Sequence, residues 1–371
     1  MTINRLAWII AVLAFLSCNN NQKHGGEVRE QTTLQEVEIF SPFPVHINAG
    51  FPSYETDEII GIYDIRSDDN YIVAAGFTSE DKLVRVYSAD DFSELGRFIN
   101  KGRHLKELRY SAFTGGNALF INKDGHVIAI FECDGVFRQL DITESLAQGR
   151  EVITIGQVRG TTEDVYNAHL EGDLFLLRTN TYENERTRML RSFRDGNTTV
   201  IDVAPAKRLD QDYIQYTQDT WRLFTKICYN PRLKRVVEAP VKMNVMNIYS
   251  LDGTFQRSLS HEKKKVRLSQ IEKENSYSLK SFFGTSDCSD SCFALVYHNA
   301  PQCDIDNQAT DRQRIQIFDW DGNPLAEIKL DRIIRIVHMD FKRNRLLALD
   351  YNDRIVSYDI DWSFINNAKL P

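Results

Sequence analysis

The amino-acid sequence predicts an all-β protein that folds as a six-bladed β-propeller with four-stranded antiparallel blades. One observation is a repeated hairpin pattern: IQIFDWDGNPLAEIKL starts at Ile315, and weaker copies start at Ile248 and Val86. A second is that turn signals such as KDG, EGD, LDG and DWDGN separate short apolar or alternating runs, which is typical of β-proteins. A third is that no long amphipathic helix pattern occurs after residue 40.

The hairpins belong to a longer repeat of roughly fifty residues, in which a strand, a turn, a second strand and a loop precede each hairpin. Six such units begin near Tyr63, Ser111, Asn167, Thr225, Lys280 and Ile334. Four-stranded units of this kind are the blades of a propeller, and a single blade cannot bury both of its faces. The chain therefore repeats the blade and closes it into a ring.

The sixth unit lacks an obvious fourth strand, which leaves an open sheet edge unless another segment pairs with it. We expect the N-terminal segment LQEVEIFSPFPVHI, residues 34–47, to supply that strand. In this arrangement VEIF near Val37 pairs with RIVSYDI near Ile355 and closes the ring. The propeller domain is then predicted to cover residues 34–371.

The first residues have the anatomy of a signal peptide, with one positive charge at Arg5 and an apolar run from Leu6 to Leu16. That run is too short to span a bilayer as a mature helix. The following Ser-Cys pair resembles a bacterial lipoprotein signal, which implies removal of residues 1–17 and lipidation, including palmitate, at Cys18. The alternative is an ordinary secretory signal with an incidental cysteine. The polar stretch 18–33 is predicted to be a flexible tether.

Net charge and cysteine content limit the classes of ligand and the kinds of cysteine site that the sequence predicts. The formal net charge is −7, which argues against nucleic-acid binding by overall charge. Five cysteines remain after Cys18, and a compartment outside the cytoplasm permits disulfides. Cys288 and Cys292 bracket a turn and are predicted to form a local disulfide. The alternative is a zinc site that adds His298 and Cys303, which is disfavoured because a strand of about 20 Å separates that turn from Cys303.

Several features together resemble the six-bladed TolB-like propeller lipoproteins of Bacteroidetes-type bacteria. They are the lipoprotein signal, the six units, FINKGRHLKELRYSAF after the first unit and IFDWDGNPLAEIKL in the fifth. The family's first linker carries a Lys-Gly-x-Gly-Pro-x-Glu-Phe pattern. Lys101, Gly102 and Glu107 fit it, whereas RHLK replaces the second glycine and the proline. The resemblance implies a propeller fold over nearly the whole mature chain, but a propeller by itself does not specify a function.

The sequence contains no nucleophile-elbow, zinc-protease or phosphate-loop motif, so we predict no catalytic residue, metal or cofactor. The DWDGN stretch resembles a calcium loop in part, but Gly322 is its fourth residue and the twelfth is Leu330. An Asp-Gly β-turn explains it better. The eight histidines are scattered. In the enzymatic alternative, His104, His169 and His261 approach the channel mouth together with carboxylates.

The links between units are basic, although the protein is net acidic. In a propeller these links share one face with the loops that join the second and third strands, so the basic residues are expected to surround one mouth of the channel. A positive concave rim attracts anions. The residues predicted to bind a ligand there are Lys101, Arg103, Lys207, Arg208, Tyr213 and Lys263. The alternative is that these are solvated loop charges, offset by neighbouring acids.

The sequence thus predicts an envelope lipoprotein that acts as a non-catalytic binding or scaffolding propeller. Its partners are expected to be the membrane, through the lipid on Cys18, and an anionic small molecule, a glycan or an envelope protein. Surface-exported lipoproteins of the type that the chain resembles often carry acidic residues after the lipidated cysteine, whereas Asn19 to Lys23 contain none. By that resemblance we expect an outer-membrane anchor facing the periplasm rather than the cell surface. The alternative function is a propeller hydrolase or lyase acting on an anionic sugar or small ester.

Overall fold

The structure of the protein is a computed structural model. It describes residues 33–371 except for 60, 77–80, 110–112, 114–117, 134–135, 158–163, 172–173, 181–188, 195–196, 201–223, 268–269, 272–273, 276 and 368–371. For residues 157–200 only the backbone is described. All described residues belong to the compact unit Gln31–Pro371. Among them, no helix is both long and apolar enough to cross a membrane.

The chain starts with three short strands that join sheets formed much later in the sequence. They are β1 (Glu38–Ile39), β2 (Val45–Asn48) and β3 (Tyr54–Glu55). The next four strands form the first sheet: β4 (Ile62–Ser67), β5 (Tyr71–Gly76), β6 (Lys82–Ser88) and β7 (Glu94–Asn100). Each pairs antiparallel with the next in chain order.

The second sheet has a helix before its outermost strand. It contains β8 (Leu119–Ile121), β9 (Val127–Cys133), β10 (Val136–Asp141), helix α1 (Ile142–Gln148) and then β11 (Ile153–Gln157). The Asp141 side chain caps α1 by accepting a hydrogen bond from the amide of Glu144, and Gly149 ends the helix in the left-handed conformation. The third sheet contains β12 (Asp164–Glu171), β13 (Leu174–Asn180), β14 (Met189–Arg194) and β15 (Asn197–Val200).

The fourth and fifth sheets each gain an N-terminal strand at the outer edge. The fourth contains β16 (Thr225–Asn230), β17 (Arg235–Pro240), β18 (Val245–Ser250) and β19 (Gln256–Ser260), with β1 added parallel to β19. The fifth contains β20 (Lys280–Cys288), β21 (Cys292–Pro301), helix α2 (Gln302–Asp306), β22 (Arg314–Asp319) and β23 (Pro324–Lys329), with β2 added parallel to β23.

The sixth sheet is completed by residues from the other end of the chain. It contains β24 (Ile334–Asp340), β25 (Arg345–Asp350) and β26 (Ile355–Asp359), with β3 antiparallel to β26, and helix α3 (Ser363–Asn367) follows. The prediction that residues 34–47 pair with β26 is therefore wrong. Those residues supply β1 and β2 to the fourth and fifth sheets, and Tyr54–Glu55 closes the sixth.

Where side chains are described, the hydrophobic core lies between neighbouring sheets, because the sheets there carry apolar side chains on the faces that meet. One buried cluster joins the first and second sheets, a second joins the fourth and fifth, a third joins the fifth and sixth, and a fourth joins the sixth back to the first. Burial on both faces is the reason the strands read as short, nearly continuous apolar runs rather than strict alternations. The protein is an all-β propeller of four-stranded antiparallel blades. The sequence predicts six blades, whereas the structure shows five with their side chains and only the backbone of the third sheet.

The repeated hairpin has the predicted Asp-Gly turn. Asp319 Oδ1 accepts hydrogen bonds from the amides of Asp321 at 3.0 Å and Asn323 at 2.8 Å. Gly322 has φ +85°, and a Cβ there would lie 2.4 Å from Leu259 Cδ1 in the neighbouring sheet. Glycine is therefore required both by the turn and by sheet packing, which explains the motif without a bound cation.

Candidate functional site

A cavity of about 300 Å³ opens where the fourth, fifth and sixth sheets meet. We call it the lysine cavity, and its polar lining residues are Lys226, Lys242, Ser281, Thr285, His298, Gln302, Arg335 and Tyr351. Most come from the starts of first strands or from the segments that join second to third strands, whereas Thr285 lies within β20 and His298 near the end of β21. The expectation that these two kinds of segment share a face is confirmed.

Lys242 is the most buried cation of the cavity. It follows β17, and its side chain is 2% exposed. Its Nζ donates to Ser281 Oγ at 2.7 Å and to Gln302 Oε1 at 3.0 Å, and the Ser281 hydroxyl also donates to Gln302 Oε1 at 2.6 Å. Both acceptors are uncharged, so these contacts orient the ammonium group without neutralising its charge.

His298 lines the cavity in a neutral form. Gln313 fixes its ring: the amide oxygen accepts from the Ile334 amide at 2.8 Å, and the amide nitrogen faces His298 Nδ1 at 3.3 Å. This assigns Nδ1 as an acceptor and leaves the proton on Nε2. Burial, followed by the charges of Lys242 and Lys226, lowers the pKa of His298 to about 4. The imidazole is therefore an uncharged N–H donor at neutral pH.

Gly284 makes room for that imidazole. It lies on β20 within a stretch of shifted register, and a Cβ there would sit 2.4 Å from His298 Nε2. Real Cβ atoms do not approach other atoms so closely, so a side chain at this position would push the ring out of place. The glycine thus sets the position of the His298 Nε2 donor against the cavity wall.

Lys226 has an unusual electrostatic environment. Its Nζ lies 4.6 Å from the centre of the Phe224 ring, a cation–π geometry. Burial, opposed by Asp64 and reinforced by Arg66, lowers the pKa of Lys226 to about 8. The lysine is therefore mostly charged at pH 7 and titrates just above it, which is uncommon for a lysine and typical of functional sites.

Arg335 and Tyr351 form the sixth-sheet wall of the cavity. The Arg335 guanidinium donates to Asp350 O at 3.0 Å and to Ile62 O at 3.1 Å, and it forms an ion pair with Asp353. Its charge is thus largely balanced. Burial raises the pKa of Tyr351 to about 12, so its hydroxyl remains protonated at neutral pH.

A second group of ionisable side chains lies on the first strands, beside Lys226. Arg66 Nη1 binds Asp64 Oδ1 at 2.8 Å, and His338 Nδ1 lies 3.2 Å from Asp287 Oδ2. Burial raises the pKa of Asp64 against the opposing pull of Arg66 and Lys226. Burial also acts to raise the pKa of Asp287, but the nearby His338 outweighs it and the net pKa is lowered. We call Asp64, Arg66, Asp287 and His338 the axial group, in which each carboxylate lies beside a basic side chain.

A further cavity of about 270 Å³ lies between the link that follows the first sheet and the second sheet. We call it the arginine cavity, and its lining residues are Gly102, Arg103, Glu107, Arg109, Cys133 and Arg138. Glu107 Oε2 accepts from the His104 amide at 2.9 Å. Arg138 donates to the carbonyl oxygens of Leu105 and Val136, both at 2.9 Å. A carboxylate and engaged guanidinium groups therefore share this cavity.

Of the residues predicted to bind a ligand, the three that the structure describes do not line the lysine cavity. Arg103 lines the arginine cavity, Lys101 is exposed beside it, and Lys263 is exposed in the loop after β19. Lys207, Arg208, Tyr213 and Cys18 lie outside the described residues.

Two of the three histidines named for the enzymatic alternative, His104 and His261, do not line the lysine cavity. His261 hydrogen-bonds Gln316 and packs on Tyr297, with ring centroids 4.2 Å apart. His104 lies in the link after the first sheet, and the side chain of His169 is outside the described part.

The predicted Cys288–Cys292 disulfide is at odds with the structure, in which both are reduced thiols. Cys288 pairs across the hairpin with Phe293, the residue next to Cys292. Adjacent residues of a strand point to opposite faces, so Cys288 faces the fourth sheet and Cys292 faces the sixth. Across the described residues, no cluster of His, Cys, Asp and Glu has the geometry to hold a metal ion.

Sequence reasoning missed the residues that line the lysine cavity. Lys226 sits in the apolar strand TKICYN, and Lys242 follows the apolar run RVVEAPV. A lysine inside an apolar strand or at its end costs desolvation free energy. That mismatch was the available signal, and the more numerous charges of the links obscured it.

Comparison with known proteins bears on this chain only weakly. No protein-family model matches it, and no curated protein has a similar sequence. A crystal structure of a DUF4221 family member from Bacteroides vulgatus is 9% identical, with a TM-score of 0.49, over 83% of this chain and 94% of that one. The WD40 β-propeller domain of Doa1 is 10% identical, with a TM-score of 0.42, over 85% and 98%. The computationally designed Ika8 protein is 11% identical, with a TM-score of 0.39, over 81% and 83%.

Proposed function

We propose that the protein is a non-catalytic binding module whose ligand is a small anion held in the lysine cavity. The observation that carries the proposal is the lining itself: it contains Lys226, Lys242 and Arg335, and none of the described lining residues is Asp or Glu. A carboxylate or phosphate entering the cavity meets the ammonium groups of Lys226 and Lys242 and no acidic lining residue, because Asp64, which interacts with Lys226, lies outside the lining. Charge-assisted hydrogen bonds of this kind are roughly twice as strong as neutral ones.

The uncharged donors favour a ligand that also carries hydroxyl groups. His298 Nε2, the Ser281 and Thr285 hydroxyls and the Tyr351 hydroxyl surround the cations. The volume of about 300 Å³ is at the lower end of the range for small-molecule sites. Sugar acids, sugar phosphates and hydroxy acids combine this size with a negative charge and several hydroxyl groups, so they are the ligand class that fits best.

The proposal is tested by isothermal titration with inorganic phosphate, citrate and glucuronate as probes at low and high salt. We expect saturable binding of at least one probe at one site, weakened by Lys242→Met. Salt is expected to reduce the affinity moderately, because the cavity is partly shielded from the bulk solvent. If every probe binds as weakly to the unmodified protein as to the Lys242→Met variant, the lysine cavity is not an anion site.

A hydrolase or lyase acting on an anionic sugar or small ester is a second candidate function. The axial group is the observation that favours it. His338 Nδ1 and Asp287 Oδ2 lie 3.2 Å apart, and Lys226, which lines the cavity, interacts electrostatically with Asp64 and Arg66 of this group. A lysine with a lowered pKa is a recognised general base. Turnover of a glycan or ester panel that is lost in Lys226→Arg, with the fold intact, would establish the enzyme and replace the binding module.

The module is proposed to be anchored to the outer membrane, facing the periplasm, through lipid on Cys18. The support is the signal-like segment 1–17 and its resemblance to lipoproteins of the TolB-like propeller family. Acyl chains supply the membrane affinity of such proteins. Cys18→Ala should release the processed protein into the soluble fraction, and its retention in the membrane would exclude the anchor. Removal of the domain by protease on whole cells would exclude the periplasmic orientation.

The six sheets are proposed to be six blades of one closed ring. Support comes from the side-by-side first strands β12, β16, β20, β24 and β4, and from the core shared by the first two sheets. The ring closes where β3 joins β26, and Glu55 there binds Arg332 at 2.8 Å and also Arg354. Deleting residues 53–56 should lower Tm by many degrees, whereas deleting 19–30 should leave it unchanged. Equal Tm values would contradict closure at β3.

A further inference from the structure

Two thiols face each other across the seam between the fourth and fifth sheets. Cys228 lies on β16 and Cys288 at the end of β20, which are the neighbouring first strands of the two sheets. Cys228 Sγ lies 3.7 Å from Asp287 O, and Cys288 Sγ lies 3.8 Å from Tyr229 O. Each sulfur thus points at the backbone next to the other cysteine.

The surroundings hold this pair together. Both side chains pack in the apolar cluster that joins the two sheets. Asn230 Nδ2 donates to Asp290 O at 2.9 Å and braces the same ends of the two strands. A hydrogen bond between the thiols, followed by burial, raises the pKa of Cys288. The two sulfurs are therefore adjacent in a fixed frame, which is the arrangement that a disulfide needs.

We propose that Cys228 and Cys288 form a disulfide that joins the first strands of the fourth and fifth sheets when the protein meets a disulfide-bearing oxidant. The other cysteines near Cys288 are excluded by position. Cys292 faces the opposite side of the sheet. Cys303 lies beyond the ten-residue strand β21, which is about 30 Å long.

The reaction is a thiol–disulfide exchange that consumes one oxidant disulfide. Cys288 is the more accessible of the two, so it reacts first: it loses its proton to solvent, and its thiolate attacks one oxidant sulfur and releases the other as a thiolate. Because the pKa of Cys288 is raised, this step is slow at neutral pH and faster at alkaline pH. Cys228 then attacks the Cys288 sulfur of the mixed disulfide and releases the second oxidant thiolate. The two protein thiols give up two protons and two electrons, and the oxidant becomes two thiols.

The bond closes a loop of 60 residues, from Cys228 to Cys288. It also fixes the spacing of the strands that carry Lys226 and Gly284, although the disulfide does not depend on the function of the lysine cavity. Cross-links that close long loops stabilise mainly by constraining the unfolded chain. We expect the oxidised protein to melt about 5 °C above the reduced one, allowing for the size of the domain.

The test is peptide mapping of the full chain after equilibration with oxidised and reduced glutathione. Trypsin isolates Cys228 in ICYNPR, and cleavage before Asp287 and Asp290 separates Cys288 from Cys292 and Cys303. The expected result is a linked pair of the Cys228 and Cys288 peptides that disappears with dithiothreitol. Absence of this pair in folded, oxidised protein, or a link from Cys288 to another cysteine, would overturn the proposal.

The rise in Tm on oxidation is a second readout, and cysteine variants assign it to particular residues. Cys292→Ala and Cys303→Ala should keep the linked peptides and the rise in Tm on oxidation, whereas Cys288→Ala should lose both. A rise in Tm that persists in Cys288→Ala would contradict the assignment. If Cys288→Ala does not fold, the peptide map of the unmodified protein still decides.

Discussion

The two cavities are made from similar residues and yet have different electrostatics. Both lie on the face formed by the links and the loops between second and third strands, and both contain three cationic side chains. The arginine cavity also contains Glu107, and Arg138 there donates to two backbone carbonyls. The lysine cavity has no Asp or Glu among its lining residues, and Lys242 there is 2% exposed. The number of positive residues in a segment therefore does not identify an anion site, whereas their burial and their partners do.

The largest expected effect separates the two cavities by a single methionine substitution in each. Lys242→Met removes a buried charge-assisted contact and should weaken binding of the best anionic probe by roughly 10- to 100-fold. Arg103→Met, the matched control in the arginine cavity, should change it by less than about twofold. Isothermal titration measures both. Equal losses in the two variants would place the ligand elsewhere.

The next effect is the pH dependence of binding, which the lysine cavity should show because Lys226 has a pKa of about 8. An anion binds the protonated lysine, so affinity should fall about tenfold between pH 7 and pH 9. The stability of the ligand-free protein should change in the opposite direction and rise with pH. The unfolded chain binds the extra proton between pH 8 and 10.5, so this lysine makes stability rise with pH there.

Lys226→Arg is the control for this pH dependence, because arginine stays charged throughout the range. The affinity of this variant for the anionic probe should be nearly constant from pH 7 to pH 9. A drop in that variant as steep as in the unmodified protein would assign the titration to another group.

A moderate effect is expected from Gly284→Ala, which tests whether the position of His298 matters to the lysine cavity. The added Cβ would lie 2.4 Å from Nε2 and displace the ring. We expect affinity for the anionic probe to fall about fivefold and Tm to drop by a few degrees. In the His298→Ala background the same glycine change should have little further effect, since the clash is gone. If the losses of affinity caused by Gly284→Ala and His298→Ala are additive in the double variant, Gly284 acts through the backbone instead.

The smallest effect tests the role of Glu107 in the arginine cavity. Glu107→Gln keeps an oxygen for the His104 amide but removes the negative charge. Weak phosphate binding at this cavity should then rise about two- to threefold at low salt and return to its original value at high salt. NMR chemical-shift changes of Arg103 and Arg109 on addition of phosphate would measure this binding. No gain at low salt would mean that the engaged guanidinium groups, not the carboxylate, prevent binding.

Different parts of the fold were predictable to different degrees. The strands of the first, fourth and fifth sheets were predictable because short apolar runs bounded by turn residues, and Asp-Gly turns, are local signals. The Asp319–Asn323 turn is one example, confirmed down to its side-chain hydrogen bonds. The second sheet was harder, because α1 separates its third strand from its fourth. The helix carries little periodic signal in seven residues.

The ends of the chain show where local reasoning failed. The sequence indicated that an N-terminal segment must cover the open edge of the sixth sheet, but it selected residues 34–47. Several short segments there have strand-like composition, and a two-residue strand such as Tyr54–Glu55 leaves no periodicity to read. Its placement depends instead on long-range contacts, including the ion pairs of Glu55 with Arg332 and Arg354.

The sequence by itself determined the all-β class, the repeated four-stranded unit and the face on which loops and links meet, because these follow from local periodicity and turn chemistry. Only the tertiary structure decided which charges converge and which thiols meet. Lys226, Lys242 and His298 come from three separate segments, and Cys228 and Cys288 lie 60 residues apart. The pKa values and the reactivity of these side chains depend on burial and on neighbours from adjacent sheets. The residue type at a single position does not specify either of these.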